Sequence, residues 1–398
     1  MKFIQFLLLF SIQTGVTLCG YTYFGAYAPF LMLFVSSVGV CFIFNELKNT
    51  TNNGLVEYSQ VSWWWSFLPL VFVLVLQPSF KSLLHDFSEP DRMTDVIGQL
   101  NTQYNRFIHG IMPYSPVTKF SYAPYPVYMP MHWLPLGISY GLQIDVRWSG
   151  YIVFCLSSLL YGYYTIRIIQ YKTIQRIVLS AMPAFCISAF LYLKPIEIAL
   201  SLETIVAAYY LILITGLLAR NHFLIILGLV LCLLSRYTLV FWLPLFAFIY
   251  FKEYDLKRSA VLWGTVLGSI LLLYVFPFLF KDPSILTKGI TYHNECAVNL
   301  LKNTGDGVHF ANFIDRNTQY DGVQTVRIIR IIQLISMILL NALGIFVYHR
   351  FRNIHALDTA ALFLYIIVLA FFISSPMVFY YYYLVTLILL GSFWIRVK

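Results

Sequence analysis

Charge is scarce in this sequence. Only 11% of its 398 residues are Asp, Glu, Lys or Arg, while 60% are hydrophobic. Soluble domains carry roughly 25% charged residues. With a mean hydropathy of +0.75, the composition is that of a polytopic helical membrane protein. Alternating strands of about ten residues are absent, which excludes an outer-membrane barrel. The six cysteines, Cys19, Cys41, Cys155, Cys186, Cys232 and Cys296, show no CxxC and no metal-ligand spacing. Nearly all lie in apolar runs, where Cys behaves as a small buried hydrophobe, so neither a structural disulfide nor a metal site is predicted. The chain also lacks a GxxxxGK[ST] phosphate loop and an HExxH metalloprotease helix. It has no soluble domain, no low-complexity tract, and no internal repeat of the kind that marks many transporters.

The formal charge is +9, but the basic residues collect at the ends of apolar runs instead of forming a patch. That pattern sets orientation in a bilayer and excludes nucleic acid as a partner. Arg167/Lys172/Arg176, Lys252/Lys257/Arg258, Arg350/Arg352 and Arg396/Lys398 are therefore placed on the cytoplasmic side. Met1-Lys2 followed by Phe3–Cys19 reads as a first span, since no small-residue cleavage site follows. Tyr23–Phe44 is the second span. After the polar loop Glu46–Gln60 comes Val61–Gln77, which Trp63–Trp65 enters as an interfacial belt. Further apolar runs lie near Tyr125–Leu142, Trp148–Ile166, Ile177–Leu193, Ile196–Leu218, Phe223–Leu234, Tyr237–Phe251, Val261–Phe280, Ile328–Tyr348, Leu357–Ile373 and Val378–Trp394.

The topology closes with about twelve crossings if Tyr125–Leu142, with Pro126, Pro130 and Pro135, is a broken or re-entrant piece lining a cavity. A different division of Phe223–Phe251 is the alternative. The expected fold is thus an all-α polytopic transmembrane bundle with two large extracytoplasmic loops. Its parts are N-terminal helices (1–79), a first outer loop with a broken helix (80–147), a transmembrane core (148–280), a second outer loop (281–327) and C-terminal helices (328–398).

The first outer loop is the least membrane-like stretch. It opens with Asp86, Glu89, Asp91 and Asp95, turns at Gly110, Pro113 and Tyr114, and continues as an aromatic–proline ladder from Tyr122 to Pro135. Long loops in compact folds are functional or disordered, and the aromatic and proline content argues against disorder. Ser88-Glu89-Pro90-Asp91 has the form of a helix start with Pro in the first turn, so these carboxylates read equally as caps and solvated charges. Asp95 heads an amphipathic stretch in which Val96, Leu100, Tyr104, Phe107 and Ile108 share a face. A carboxylate there can point into the bundle and serve as a general base. Arg236 stands alone between two apolar runs, where an isolated charge needs a partner. A lipid phosphate matches a guanidinium fork, and a snorkelling role at a span end is the alternative. Arg327 and Arg330 share a helix face and read as phosphate ligands or interface anchors. His293 and His309 in the second loop read as proton-transfer groups, metal ligands or ordinary polar residues. Tyr380–Tyr383 reads as a sugar-stacking surface or an interfacial belt.

The order Asp95, Tyr104, Gly110-x-x-Pro113-Tyr114, then Tyr125-Pro126 opening an apolar segment that ends at Pro135, resembles the polyprenyl-phosphate-sugar-dependent glycosyltransferases of the GT-C class. It is most similar to the bacterial mannosyltransferase-like branch, whose first outer loop follows a D…Y…G…Y…YPP pattern. Here the double proline is replaced by Pro126-Val127, and two extra spans precede the loop. Ser235-Arg236 before an apolar segment with Pro244, and Lys194-Pro195-x-Glu197 at a helix break, are softer matches. The resemblance implies transfer of a hexose, mannose in that branch, from a polyprenyl-phosphate donor to a hydroxyl acceptor on a lipid, glycan or protein, with inversion and without a cofactor. It implies Asp95 as the base and Asp91, Tyr104, Arg106, Tyr114, Tyr125, Lys194, Glu197, Arg236 and His293 as substrate-binding residues, with Arg236, Arg106 and Lys194 near the lipid phosphate. The bacterial inner membrane, with the site facing the periplasm, is the implied location. A transporter or lipid-linked-sugar flippase, with Arg236, Lys194 and Glu197 along its pathway, is the rival reading. A non-catalytic subunit of an envelope-assembly complex is the third.

Overall fold

The computed structural model describes residues 2–49, 62–120, 123–166, 173–303 and 307–397. Most of the polar stretch 46–60, together with Tyr122, Arg167, Lys172, Asp306 and the side chain of Asp91, lies outside the described residues. Among the described residues the chain is all-helical, at 82% helix with no strand.

Helices α1 (Lys2–Phe24) and α2 (Ala28–Asn49) form an opening hairpin that turns at Gly25, whose φ of +53° suits a residue without Cβ. Phe6 stacks on Phe42 at 5.8 Å, and Lys2 pairs with Glu46 at 2.9 Å, so the two helices run back along each other. A short turn at Trp63–Phe67 leads into α3 (Leu68–Val75) and α4 (Gln77–Asp86), and both helices have Pro in the first turn. The acidic loop folds as α5 (Pro90–Met93) and α6 (Asp95–Ile108), and the aromatic–proline ladder leads to α7 (Pro130–Trp133) and α8 (Leu136–Leu142). The stretch Tyr125–Leu142 is thus an extended run followed by two short helices. Proline fixes φ and cannot donate to a helix ladder, and three prolines in ten residues leave only short helical pieces.

Next come α9 (Arg147–Thr165), α10 (Thr173–Leu193), α11 (Pro195–Ala199), α12 (Glu203–Leu218) and α13 (His222–Leu233). After a turn at Tyr237–Phe241 follow α14 (Leu243–Glu253) and α15 (Leu256–Ile270), the latter continuing as a wider π-helix through Leu279. The second charged segment, expected as a loop, is mostly helix: α16 (Ile285–Asn303), α17 (Phe310–Asn317) and the start of α18 (Gly322–Arg350). Helix α19 (Ala356–Ile373), a turn at Tyr380–Tyr382 and α20 (Tyr383–Ser392) complete the order.

Helix α12 is the core, with every residue from Glu203 to Leu218 buried. It packs against α9, α13, α19 and α20. Glycines bring the α12–α13 pair close, and a Cβ on Gly228 would lie 2.6 Å from the Leu213 Cα. In a lipid environment such close backbone contact, not apolar collapse, holds helices together. Among the described residues, six helical stretches are long and apolar enough to cross a membrane: Lys2–Asn49, Trp63–Asp86, Thr173–Leu193, Leu256–Leu279, Gly322–Arg350 and Ala356–Ile373. The α1–α2 hairpin counts as one of these, while α12 and α13 are shorter apolar helices.

Two further expectations are corrected at this level. The apolar run Ile196–Leu218 is not one helix, because Leu200–Leu202 separate α11 from α12 and place Glu203 at the head of the most buried helix. On α6 the buried face is rotated from the predicted one. Ile97, Gly98, Gln99, Leu100 and Gln103 are inside, whereas Phe107 and Ile108 are exposed. The two glutamines each donate inside, Gln99 to Asp95 and Gln103 to the Tyr128 carbonyl, which lets their amide groups occupy the inner face.

Candidate active site

A cavity of about 590 Å³ opens where the broken helices meet. The head of α6, the extended run at 127–129, α11, the turn at Ser235–Tyr237, one face of α16 and the aromatic stretch before α20 all line it. Apart from the α16 face, these are helix ends or interruptions, where backbone groups and polar side chains are free of the intrahelical ladder.

Asp95 is the first residue of α6, and Thr94 caps the helix by accepting from the Val96 amide at 3.2 Å. Gln99, one turn on, donates to the Asp95 carboxylate at 2.6 Å and fixes its orientation. Glu197 enters from α11, which exists because Pro195 ends α10 at Lys194. Its carboxylate accepts from the Tyr381 amide at 3.3 Å. Burial raises the Glu197 carboxyl above its ordinary value, against the Tyr381 amide and Lys194, which pull it down.

Arg236 is not the isolated cation that its sequence neighbours imply. It donates to Glu203 at 2.6 Å, with Glu203 only 1% exposed. The Tyr382 ring lies 4.7 Å and the Tyr128 ring 5.5 Å from its guanidinium carbon. The charge is therefore compensated inside the protein. Its remaining donors are the long bond from Nη1 to the Tyr382 hydroxyl, at 3.4 Å, and an Nε that finds no partner.

His293, on α16, contacts Arg330 of α18 through Nδ1 at 3.1 Å. A guanidinium can only donate, so Nδ1 is the acceptor and the proton of the neutral ring sits on Nε2. Burial first, then Arg330 and Arg236, push the His293 pKa down to about 4. His293 is thus a neutral hydrogen-bond donor, a role that leaves base chemistry to the carboxylates.

Of the residues expected at the site, Asp95, Glu197, Arg236 and His293 come together in this cavity. Tyr104, Arg106, Tyr114, Tyr125 and Lys194 do not line it. Tyr104 packs on Tyr140, with ring centroids 4.7 Å apart. Arg106 donates to the carbonyls of Pro113, Ser115 and Pro116 and clamps the turn after α6. Gly110, at φ +71°, ends α6 in a left-handed cap, with the Ile111 amide bonded back to Arg106 O at 2.8 Å. Tyr114 is buried against Tyr274 and Phe278, and its hydroxyl donates to the Tyr128 carbonyl at 3.2 Å. Gln103 donates to the same carbonyl at 3.0 Å, so both side chains act through the placement of Tyr128. The Tyr125 ring is buried outside the cavity, and the Lys194 ammonium lies over the Tyr380 ring at 4.1 Å. His309 is buried at the head of α17, away from the cavity.

Sequence reading missed Glu203, Gln99, Asn299 and the rings of Tyr128, Tyr237 and Tyr292. Glu203 carried a usable signal, a carboxylate within an apolar run, and such charges are functional by default. Among the described residues no group of three His, Cys, Asp or Glu side chains is placed to hold a metal ion.

Two carboxylates, a neutral imidazole donor, a compensated guanidinium and several aromatic faces thus surround a space large enough for a small polar ring. Together with six candidate spans, this defines the coarse class, a chain all-helical among its described residues, compatible with a polytopic membrane protein and carrying a polar cavity among its broken helices. No family model matches the chain, and no curated protein or solved structure does so either.

Proposed function

We propose that the cavity is the catalytic site of a membrane glycosyltransferase that moves a hexose from a polyprenyl-phosphate donor to a hydroxyl acceptor. The observation that carries this reading is the convergence of Asp95 and Glu197 with the rings of Tyr128, Tyr237, Tyr292 and Tyr382 in one cavity. Sugar recognition needs acceptors for hydroxyl protons and flat apolar faces for C–H bonds, and this wall supplies both. Asp95 takes the proton of the acceptor hydroxyl as it attacks the anomeric carbon, and the lipid phosphate leaves from the opposite side with inversion. Glu197 and the His293 Nε2–H bind sugar hydroxyls. The free donors of Arg236 face the developing negative charge. About twelve crossings, with the cavity on the periplasmic side of a bacterial inner membrane, belong to the same reading. Cysteines placed at Ser115 and Asn317 then react with an impermeant thiol reagent in intact cells, and labelling only after lysis refutes that orientation.

The deciding experiment is transfer from a radiolabelled polyprenyl-phosphate hexose by purified protein and its Asp95→Asn variant. Losing a general base lowers the rate about 10²–10⁴-fold, while thermal stability stays near that of the parent. Transfer unchanged in Asp95→Asn, or absent with every glycosyl phosphate lipid offered to the parent, defeats the proposal.

A further inference from the structure

Behind the cavity wall lies a second group of polar side chains, which the transfer chemistry does not use. It consists of His132, Glu203, Tyr210 and the inner edge of Arg236. Of these, Arg236 lines the cavity and the other three do not. His132 belongs to α7, just past the extended run that reaches the cavity through Tyr128. Two bonds at the preceding residue fix its place. The Met131 amide donates to the Leu234 carbonyl at 2.8 Å, and the Tyr209 hydroxyl of α12 donates to the Met131 carbonyl at 2.9 Å. His132 is thereby held between α12 and the turn that carries Arg236. Its ring meets that of Tyr128 edge-on, with centroids 5.1 Å apart, and lies within electrostatic reach of Arg236. Tyr210 stands about two turns below Glu203 on the same face of α12. Helical side chains lean toward the N-terminus, which brings the Tyr210 hydroxyl up into the fields of Glu203 and Arg236.

Each of these side chains keeps a buried polar atom that no group among the described residues satisfies. They are both ring nitrogens of His132, Glu203 Oε1, the Tyr210 hydroxyl and Arg236 Nε. The Leu202 carbonyl lies near the imidazole without reaching hydrogen-bond geometry. Buried polar groups are almost always paired. Here the orphaned atoms come from α7, α12 and the turn at Arg236 and lie in one another's fields, so a shared occupant accounts for them together.

Charge and donor balance select that occupant. Arg236 and Glu203 already neutralise each other at 2.6 Å, so an added ion would be an uncompensated buried charge. A neutral imidazole offers one donor and one acceptor, a phenol can act as either, the carboxylate accepts and Nε–H donates. This mixed set suits water, which both donates and accepts and makes about three bonds when buried.

We infer that water occupies a closed polar site behind the cavity wall, bound by His132, Glu203, Tyr210 and Arg236. It holds the Arg236 guanidinium from behind at Nε, as Glu203 holds it at Nη2, and leaves Nη1 as the edge presented to the cavity. His132 is then a positioning residue that acts on the cavity through water and Arg236. The site stands whatever reaction the cavity performs.

The test uses the full-length protein in lipid nanodiscs and compares the melting of His132→Leu and His132→Asn. Leucine and asparagine have nearly the same shape, so packing losses are shared and polarity alone differs. In a hydrated site Asn keeps a partner for the water and melts above Leu. A dry site reverses the order, because an amide buried without partners costs stability while Leu removes an orphan. Asn melting at or below Leu therefore overturns the site. Tyr210→Phe probes the other wall by deleting one hydroxyl; it should melt below the parent, and melting at or above the parent's temperature counts equally against the site. A high-resolution crystal structure of the parent needs no variant to fold. Density within hydrogen-bond distance of His132 and Glu203 Oε1 is expected, and its absence refutes the inference. Melting of the parent that shifts when choline replaces sodium in the buffer identifies a cation and overturns the choice of water.

Discussion

Two arginines in this molecule hold a carboxylate at 2.6 Å, yet they do different work. Arg147, 1% exposed, engages both oxygens of Asp145 and also donates to the carbonyls of Leu84, Phe87 and Ala199. Those carbonyls end α4 and α11, so one guanidinium ties two helix termini to the start of α9. Arg236 has the same ion-pair distance, but its Nε lacks a partner and aromatic rings stand where Arg147 has carbonyls. The lesson is that ion-pair length does not separate scaffold from site; what separates them is whether donors remain over. A saturated guanidinium is a staple, whereas Arg236, in the cavity wall, keeps a donor that the protein does not satisfy.

The largest expected effect tests the staple. Arg147→Met strips donors from three carbonyls, at about 1–3 kcal/mol for each group left unpaired. Folded protein recovered from membranes should fall sharply, with a loss of about 4 kcal/mol. Adding Asp145→Asn should not restore it, because the carbonyls remain without donors. Full recovery in that double variant would make the ion pair, not the carbonyl bonds, the source of stability.

Arg236→Gln should cost slightly less, about 3 kcal/mol, because it leaves the buried Glu203 charge without its partner. Here the second change should repair the damage. Arg236→Gln/Glu203→Gln is expected to melt near the parent, which a thermal shift series would measure. If the double variant is no better than the single one, Arg236 belongs with Arg147 as a staple.

A smaller effect concerns pH. His293 is held neutral in the fold, with its pKa down to about 4 from an ordinary 6.5. The unfolded chain takes up a proton at higher pH than the folded one does, so this stability is complete above about 6.5 and is lost as pH falls toward 4. Burial alone brings His309 to about 4 as well, so part of the acid sensitivity should survive in His293→Gln. Melting temperatures between pH 7 and 5 should fall less steeply in that variant than in the parent. Identical slopes would show that His293 is not buried neutral.

The smallest effect falls on Arg106, a clamp on the turn after α6. Arg106→Lys keeps the charge but loses the fork that bonds successive carbonyls, for about 1 kcal/mol. The donor Michaelis constant should not move. A rise would return Arg106 to the phosphate-binding role that the sequence resemblance implies.

The sequence alone determined the all-helical class and many helix ends, because apolar runs, prolines and glycines act over one or two turns, but not the helices of the second charged segment, α16 and α17. Pro195 breaking the chain before Glu197, Gly110 closing α6 and Asp95 at its head were all legible from neighbours a few residues away. Only the tertiary structure decided the partnerships. Arg236 meets Glu203 across 33 positions, and Arg330 meets His293 across 37. Tyr114 reaches the Tyr128 carbonyl through an irregular loop. No periodicity encodes such pairs, since a span of apolar residues fixes a helix but not which face it turns to which neighbour. That choice follows from close packing at glycines and from the need of every buried charge for a counterpart. It made Arg236 a compensated residue.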